Sequence, residues 1–431
     1  MISKGLPGFR DFPPEDFALR AHIFRVWREV AARYGFEEYD GPPLEPLDLY
    51  TAKSGDEIVG QLYNFVDKGD RQVALRPEMT PTLARMVGAR ANGMKKPIRW
   101  FSIPQLFRYE RQQRGRLREH FQLNCDLIGE AGPLADAEII ALSIDMMRGF
   151  GLGPQDVRVR VSDRLFLSSA LRQLGIADAM TPLVFQAIDR IEKNAAAARE
   201  MLDAHLDTVT VASVFRLTDP AHRAELRRSI SAATHFGAAL NALDEMGFGE
   251  WIDFDPTIVR GLAYYTGTVF ELFDAKRTLR AICGGGRYDT LLGSLGGADL
   301  PALGFGMGDV VLGELLKDRG LHPSVGASID VFVAAVTPAD VEHVLKLSHE
   351  LRDAGLRVEF ALNTQAVGKQ LNLANARGAR LAVVIGPDDR ARGEVQLKDL
   401  VHKTQEAITD SSLASHLSSL VNDSRLTTPN G

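Results

Sequence analysis

The stretch IRWFSIPQLFRYERQQRGRLREHFQLNCDLI, residues 98–128, decides the fold because two strand-like runs enclose a charged segment. Ile98–Ile103 and Phe121–Ile128 are rich in apolar residues, as are Val157–Val161 and Gly267–Phe273 further along the chain. Clusters of glycine and charged residues separate these runs, which is typical of strands joined by turns. The pattern therefore predicts an antiparallel sheet.

The segment between the first two strands is a window of arginines from Arg99 to Arg118. It holds six arginines and one acid, Glu110, so its local balance is +5. Arginine presents a planar fork that binds phosphate or carboxylate oxygens in pairs. The window is therefore a candidate anion site, although a solvated hairpin with spare charges explains the composition as well.

The composition is that of an ordinary globular protein. Its 431 residues are 45% hydrophobic and 25% charged, with a net charge of −6, which suggests about three structural units and no strongly basic surface. The N-terminus lacks the apolar core of a signal peptide, and no apolar run is long enough to span a bilayer. With two cysteines and no zinc-binding spacing, we expect a cytoplasmic protein without a membrane partner or a metal held by protein ligands.

Changes in sequence texture predict the domain organisation. Residues 1–322 would form an α+β core around the antiparallel sheet, interrupted at about 165–249 by an alanine-rich helical insertion. A short Pro/Gly/Ser stretch then begins a second unit, 323–431, in which strands and helices alternate. We predict an α/β domain with a largely parallel sheet there, and a frayed tail from Ser411 onward.

Three further clusters carry polar groups suited to a small ligand. Leu75–Thr80 combines an acid with a hydroxyl, which suits an ammonium group, although Pro77 and Glu78 also fit a helix N-terminus. Val259–Glu271 places an arginine and two tyrosines beside glycines, and a structural tyrosine pair is the alternative. The glycines of Cys283–Asp289 and Gly304–Asp309 do not have the spacing or position of a dinucleotide fingerprint.

In this order, the clusters resemble the class II aminoacyl-tRNA synthetases, and the histidyl-tRNA synthetase family in particular. Gly35–Glu45 is similar to motif 1, and Phe107–Glu110 with Phe121–Asp126 is similar to motif 2. The peptide Arg260-Gly-Leu-Ala-Tyr-Tyr265 is similar to the signature that is peculiar to the histidine enzymes. The end of the chain, from about Ser328, resembles the anticodon-binding domain of class IIa synthetases.

The resemblance implies a role for each matching residue. The histidine-binding residues would be Glu78, Thr80, Arg108, Gln122, Asp126, Arg260, Tyr264 and Tyr265. The ATP-binding residues would be Arg108, Glu110, Arg116 and Phe121, and the catalytic residues Arg108 and Arg260. The only metal implied is Mg²⁺ carried by ATP.

Four positions depart from the family pattern. Val311 stands where motif 3 usually has an arginine over the adenine, and His120 where a stacking phenylalanine is common, next to Phe121. Ala263 replaces an acidic residue, and Asp126 is one methylene shorter than the glutamate often found there. How this chain holds adenine is therefore open.

The function implied is ATP-dependent ligation of L-histidine to tRNA(His) through a histidyl-adenylate, by a homodimer. One alternative is a non-catalytic, synthetase-like regulatory subunit of histidine biosynthesis, but that type usually lacks the arginine corresponding to Arg260 and the anticodon domain. Another is a class II synthetase for proline or threonine, which would keep the C-terminal domain but not the Arg-Gly-Leu-x-Tyr-Tyr peptide.

Overall fold

The computed structural model of the protein describes residues 5–51, 60–111, 113–259, 265–294, 298–323 and 329–427. The chain separates into two compact units, Met1–His322 and Pro323–Gly431. No helix in the described ranges is long and apolar enough to cross a membrane.

The first unit is built on a large mixed sheet that is antiparallel at most of its pairings. Among the described residues, nine strands form it in the order β1-β5-β7-β12-β11-β10-β8-β9, with β6 paired to β7. Within these described strands, only β1 with β5 and β8 with β9 are parallel. The strands are β1 Glu37–Glu38, β5 Ile98–Ser102, β6 Gln105–Phe107, β7 Glu119–Ile128, β8 Val157–Asp163, β9 Ile252–Phe254, β10 Thr268–Asp274, β11 Cys283–Arg287 and β12 Ala302–Gly308. The four strands predicted from the sequence all lie in this sheet, so the predicted fold class is confirmed.

Three helices cover one face of the sheet and form the main core with it. They are α1 Pro14–Arg33, α4 Pro133–Gly149 and α12 Asp309–Asp318. In α1, the side chains of Ile23, Trp27 and Val30 recur at helical spacing and are almost fully buried. Gly35 follows with φ +71°, a conformation that ends a helix at little cost for glycine. Because this apolar stripe packs against one face of the sheet, the opposite face is the one that these helices leave uncovered.

A small three-stranded sheet lies at the edge of the first unit. It has the order β2-β4-β3, formed by β2 Leu44–Pro46, β3 Tyr63–Val66 and β4 Gln72–Leu75. Helix α3, Thr80–Gly88, begins shortly after β4, so Pro77 and Glu78 precede its N-cap, Met79, and do not form its first turn. Two short helices, α2 Asp48–Thr51 and α11 Leu291–Ser294, complete this region.

The alanine-rich segment is helical. It has a core of its own, except that its last helix contributes Phe236, Leu240 and Leu243 to the main core. Its helices are α5 Arg164–Gln173, α6 Thr181–Ile191, α7 Ala195–Asp203, α8 Thr208–Thr218, α9 Arg223–Ser229 and α10 His235–Glu245. Leu167, Val184 and Leu202 are among the fully buried residues of the segment's own core. Asp163, Asn194, Asp207 and Thr234 cap four of the helices through side-chain oxygens, which satisfies backbone N–H groups that have no partner within the helix.

The second unit is a mixed α/β domain, which corrects the prediction of a largely parallel sheet. Its strand order is β14-β13-β15-β16-β17, and the last two pairings are antiparallel. The strands are β13 Val331–Ala335, β14 Val358–Phe360, β15 Leu381–Ile385, β16 Glu394–Asp399 and β17 Thr404–Thr409. The helices are α13 Val341–Asp353, α14 Val367–Ala376, α15 Pro387–Arg392 and α16 Asp410–Thr427.

The prediction of a frayed tail from Ser411 is wrong, because this segment forms helix α16. Leu413, Leu417 and Val421 recur every four residues and are buried in the core of the second unit. This spacing places the three side chains on one face of a helix. The sequence does contain this amphipathic pattern, but the many serines between the three residues led to the prediction of an unstructured tail.

Candidate functional site

A cavity of about 450 Å³ opens on the face of the large sheet opposite helices α1 and α4, and the first turn of α12 borders it through Val310 and Val311. Its floor is formed by strands β7, β10, β11 and β12, and its walls by residues around Glu78, by the arginine window and by the turn before β11. The sequence-predicted residues that line it are Glu78, Thr80, Arg108, Glu110, Arg116, Gln122, Asp126 and Tyr265. Residues far apart in the chain therefore meet in one place.

Strand β7 supplies the floor of the cavity through every second side chain. His120, Gln122 and Asp126 line the cavity, whereas Leu123 and Cys125 belong to the main core on the other face. This alternation follows from the pleat of a strand, in which successive side chains point to opposite faces.

Phe121, predicted to bind ATP, does not line the cavity. Its ring lies edge-on to Phe24 with centroids 5.2 Å apart, and the guanidinium of Arg20 lies 4.9 Å from its centroid. Phe121 lies between His120 and Gln122 in β7, so its side chain points to the opposite face of the sheet, toward helix α1. His120 faces the cavity instead, so the structure corrects the placement of Phe121.

Asp126 is a carboxyl buried in the floor of the cavity. The hydroxyl of Tyr288 donates a hydrogen bond to it, and the ring of Tyr265 also lines this end. Burial raises the pKa of Asp126 to about 7, although the Tyr288 hydrogen bond opposes the shift. The group is therefore poised between carboxylate and acid near neutral pH and can accept or share a proton with a polar ligand.

Glu78 and Arg108 form a second polar pair on the wall. Burial raises the pKa of Glu78, and the cation of Arg108 counteracts part of this effect. Arg108 is aimed by its Nε, which donates to the carbonyl of Pro77 at 3.0 Å. Together with Thr80, which lines the cavity at the first residue of α3, these groups offer an anion and a cation to the two ends of an amino acid.

The arginine window contributes two cations to the cavity rather than six. Arg108 and Arg116 line it, and Arg116 pairs with the carboxylate of Glu110. Arg99 instead pairs with Glu138 at 2.7 Å, and Arg114 with Glu314 at 3.1 Å. The +5 balance of the window thus overstates the charge that faces a ligand.

Apolar side chains and a neutral imidazole also line the cavity, which has Val311 and the cation Arg280 side by side next to Gly115. Val310 and Val311 line it, together with His120. Desolvation and the cation of Arg108 lower the pKa of His120 to about 3, so its imidazole is neutral at pH 7. A neutral aromatic ring and valine side chains suit a flat, uncharged group.

Two glycines of the central strand β12 leave room for the polar groups of the cavity floor. A Cβ on Gly304 would lie 2.5 Å from both Asp126 Oδ1 and the carbonyl oxygen of Cys125, and one on Gly306 would lie 2.8 Å from the amide group of Gln122. A side chain at either position would push the neighbouring polar group out of place. The glycine-rich pattern that resembled a nucleotide fingerprint therefore serves the packing of the floor.

Gly304→Ala should lower the free energy of unfolding by about 1–3 kcal/mol, because an atom added to a close-packed site forces its neighbours to shift. Gly284→Ala is the matched control, since it lies within the neighbouring strand β11 and the nearest atom to its Cβ position is Cγ of Glu271, at an ordinary 3.9 Å. Urea denaturation monitored by circular dichroism measures both. Equal stability of the two variants would show that the floor at Gly304 is not tightly packed.

The structure does not describe two of the predicted site residues, and several residues that were not predicted line the cavity. Arg260 and Tyr264 lie outside the described residues. Tyr288, Glu271 and Arg280 line the cavity without having been predicted. Asn124 was also missed, although the alternation of β7 places it on the same face as Gln122 and Asp126.

The comparisons with known proteins cover nearly the whole chain. Residues 8–308 match the family model for histidyl-tRNA synthetase, and residues 330–420 match an anticodon binding domain. A histidine–tRNA ligase of Opitutus terrae is 45% identical over 418 residues, covering 93% of this chain and 95% of the relative. One from Leptospira biflexa is 38% identical over 423 residues, covering 94% and 95%.

Solved structures show the same fold. A histidyl-tRNA synthetase from Nostoc sp. PCC 7120 superposes with a TM-score of 0.81 at 24% identity, covering 97% of this chain and 99% of that one. A Bacillus halodurans structure described as an ATP phosphoribosyltransferase regulatory subunit/histidyl-tRNA synthetase superposes with a TM-score of 0.72 at 23% identity, covering 89% and 98%. At these identities the two structures support the fold alone.

Proposed function

Because the chain belongs to the histidyl-tRNA synthetase family, we propose that it activates L-histidine with ATP and transfers the histidyl group to tRNA(His). The products would be histidyl-tRNA, AMP and diphosphate. The observation that carries this proposal is the cavity in which Asp126, Glu78 and Arg108 converge from three separate segments. A ligand with an imidazole, an ammonium group and a carboxylate has one partner for each of its polar ends there.

The chemistry proposed for this cavity is positioning and charge stabilisation. The carboxylate of histidine attacks the α-phosphorus of ATP while negative charge grows on the non-bridging oxygens. Arg108 would contact the carboxylate and the α-phosphate, and Arg260 would approach the same phosphate from the opposite side. Preorganised cations of this kind lower the barrier without a covalent intermediate.

The remaining cavity residues would hold the two substrates in register. Glu78, Thr80 and Gln122 would hold the amino group of histidine, and Asp126, Tyr264 and Tyr265 its imidazole. Glu110 and Arg116 would face ATP, with Mg²⁺ entering bound to the nucleotide. Phe121 is left out of this proposal because its ring packs toward α1.

The regulatory alternative is less well supported than the ligase. Relatives that align over more than nine tenths of this chain are named histidine–tRNA ligases. The match to an anticodon binding domain over residues 330–420 also indicates a unit with a use for tRNA. We also propose that the protein works as a homodimer in the cytoplasm. Its two cysteines are buried free thiols, which fits a reducing compartment.

In the second unit, helix α14 is the proposed contact for the anticodon. Lys369, Asn372 and Asn375 are exposed on it, Arg377 is exposed directly after its end, and all four can reach unstacked bases. Gln370 is different, because it is buried and its side chain bonds the backbone of Ala335 and Gln365. We therefore assign Gln370 to the packing of α14 on β13 and exclude it from base reading.

Charging of unfractionated tRNA with radiolabelled histidine tests the proposed function. We expect incorporation into acid-precipitable tRNA that depends on ATP and on the second unit. A folded full-length chain that forms no histidyl-tRNA, but stimulates a separate biosynthetic enzyme, would support the regulatory alternative instead.

The pH dependence of kcat/KM for histidine should follow the ionisation of Asp126. Its pKa is about 7, so the carboxylate fraction rises from about one tenth at pH 6 to about nine tenths at pH 8. Because an imidazole N–H donates to the carboxylate, kcat/KM for histidine should rise about tenfold over this range from Asp126 alone.

Asp126→Asn is the control for this titration. It has the same shape but no proton to lose, and the ionisation of free histidine is common to both proteins. The ratio of wild-type to variant kcat/KM should therefore climb between pH 6 and 8. A ratio that stays constant over this range would show that Asp126 does not titrate in the free enzyme.

A further inference from the structure

Arg280 is a cation in the cavity that the described part of the chain leaves unpaired. Arg108 bonds the carbonyl of Pro77, and Arg116 pairs with Glu110. Arg280 lines the same cavity and is exposed, and its guanidinium makes no hydrogen bond or ion pair with any residue that the structure describes. A guanidinium that faces a cavity with all its donors available is suited to a ligand.

The backbone that carries Arg280 is held firmly. The buried carboxylate of Asp274 accepts hydrogen bonds from the backbone N–H of Thr278 at 3.1 Å and of Leu279 at 2.9 Å. The side chain of Leu279 packs against the main core, and the N–H of Ile282 donates to the carbonyl of Leu272 at 2.8 Å. The turn therefore directs Arg280 into the cavity. Because its backbone is already held in place, binding of a ligand restricts only the rotamers of the Arg280 side chain.

Arg280 lies next to an apolar side chain of the cavity wall, that of Val311. A Cβ built on Gly115 would lie 3.6 Å from Cδ of Arg280 and 3.2 Å from Cγ2 of Val311, so these two side chains meet at one point. Val311 is almost fully buried, and Gly115 offers only backbone. Of the carboxylates that line the cavity, Glu110 is already paired with Arg116.

A planar cation beside an aliphatic wall fits the flat face of a nucleobase. Guanidinium groups stack on aromatic rings as well as binding oxygens, and base stacking tolerates a neutral, apolar partner on the other side. Phosphates need several charged donors at once, and Arg108 and Arg116 supply such donors in the same cavity.

We propose that Arg280 stacks on the adenine ring of bound ATP, beside Val311. The proposal rests on the proposed function for the identity of the nucleotide. It makes Arg280 a substrate-binding residue, carried on the turn between β10 and β11.

Arg280→Ala and Arg280→Lys test the proposal in histidine-dependent exchange of pyrophosphate into ATP. Loss of a base-stacking contact should raise KM for ATP about tenfold or more in the alanine variant, with KM for histidine and the melting temperature unchanged. Lysine keeps the charge but not the plane, so it should remain as weak as alanine. Lys276→Ala, on the same turn but outside the cavity, should behave as the wild type.

Adenosine separates the base from the phosphates. Its binding, measured by calorimetry without histidine, should weaken in Arg280→Ala by the same factor as KM for ATP. Unchanged adenosine binding, or full rescue by lysine, would assign Arg280 to a phosphate and overturn the proposal. If the wild-type protein showed no exchange at all, the ligase function would fail, but adenosine binding would still decide the role of Arg280.

Discussion

Replacing Arg108 with alanine should lower kcat for histidine-dependent pyrophosphate exchange about 10²- to 10³-fold. Removing one preorganised donor that stabilises transition-state charge commonly has this effect. Arg108 lines the cavity, and its Nε is fixed on the carbonyl of Pro77, so its remaining donors face the substrates. Because the charge on the phosphate oxygens grows only in the transition state, the loss should fall mainly on kcat.

Arg111→Ala is the matched control for this substitution. Arg111 lies three residues away in the same window, but it is exposed and does not line the cavity. Exchange without tRNA and thermal melting should both be close to wild type. An Arg108→Ala variant within threefold of the wild-type kcat, or an equal loss in Arg111→Ala, would contradict the role given to Arg108.

Replacing Asp126 with asparagine should raise KM for histidine about 10- to 100-fold, with KM for ATP unchanged. A hydrogen bond to a charged group contributes about 1.5–3 kcal/mol, and each 1.4 kcal/mol is tenfold in affinity. The effect should be confined to histidine because Asp126 lies among Tyr265, Tyr288 and Gly304 at the floor of the cavity. Steady-state exchange with each substrate varied in turn measures it.

The stability of Asp126→Asn separates binding from folding. Burial raises the pKa of this carboxyl, so its charged form opposes folding as the pH rises above the unfolded value. Asparagine has no charge to bury and can still accept from Tyr288, so the melting temperature at pH 8 should be equal to wild type or higher. Tyr288→Phe, which keeps the carboxylate, should raise KM for histidine less. A KM for histidine within twofold of wild type in Asp126→Asn would contradict the assignment.

The sequence predicted the strands of the large sheet because their apolar runs are long and clearly separated. It did not reveal the face of β7 that meets the ligand. Strand alternation alone would have grouped His120 with Gln122 and Asp126. Phe121 was assigned to ATP instead because an aromatic ring was expected to stack on adenine. Tyr288 could not be found this way, because its contact with Asp126 depends on the register of β11, β12 and β7.

The arginine window shows why composition alone misjudges a site. Arg99 and Arg114 are paired with Glu138 and Glu314, which are 39 and 200 residues away in the chain. Such partners are brought together only by the folded sheet and helices. For the same reason Arg280, which has ordinary surface composition around it, becomes visible only once the turn before β11 is placed at the cavity.

Amino-acid-dependent exchange of labelled pyrophosphate into ATP, run with each of the twenty amino acids, tests the central claim most directly. A pocket that pairs a buried carboxyl with the imidazole should reject analogues that leave it unpaired, by up to about 10⁵-fold. We therefore expect exchange with histidine and none above background with the other nineteen. A folded full-length protein without histidine-dependent exchange, or with greater exchange for another amino acid, would contradict it.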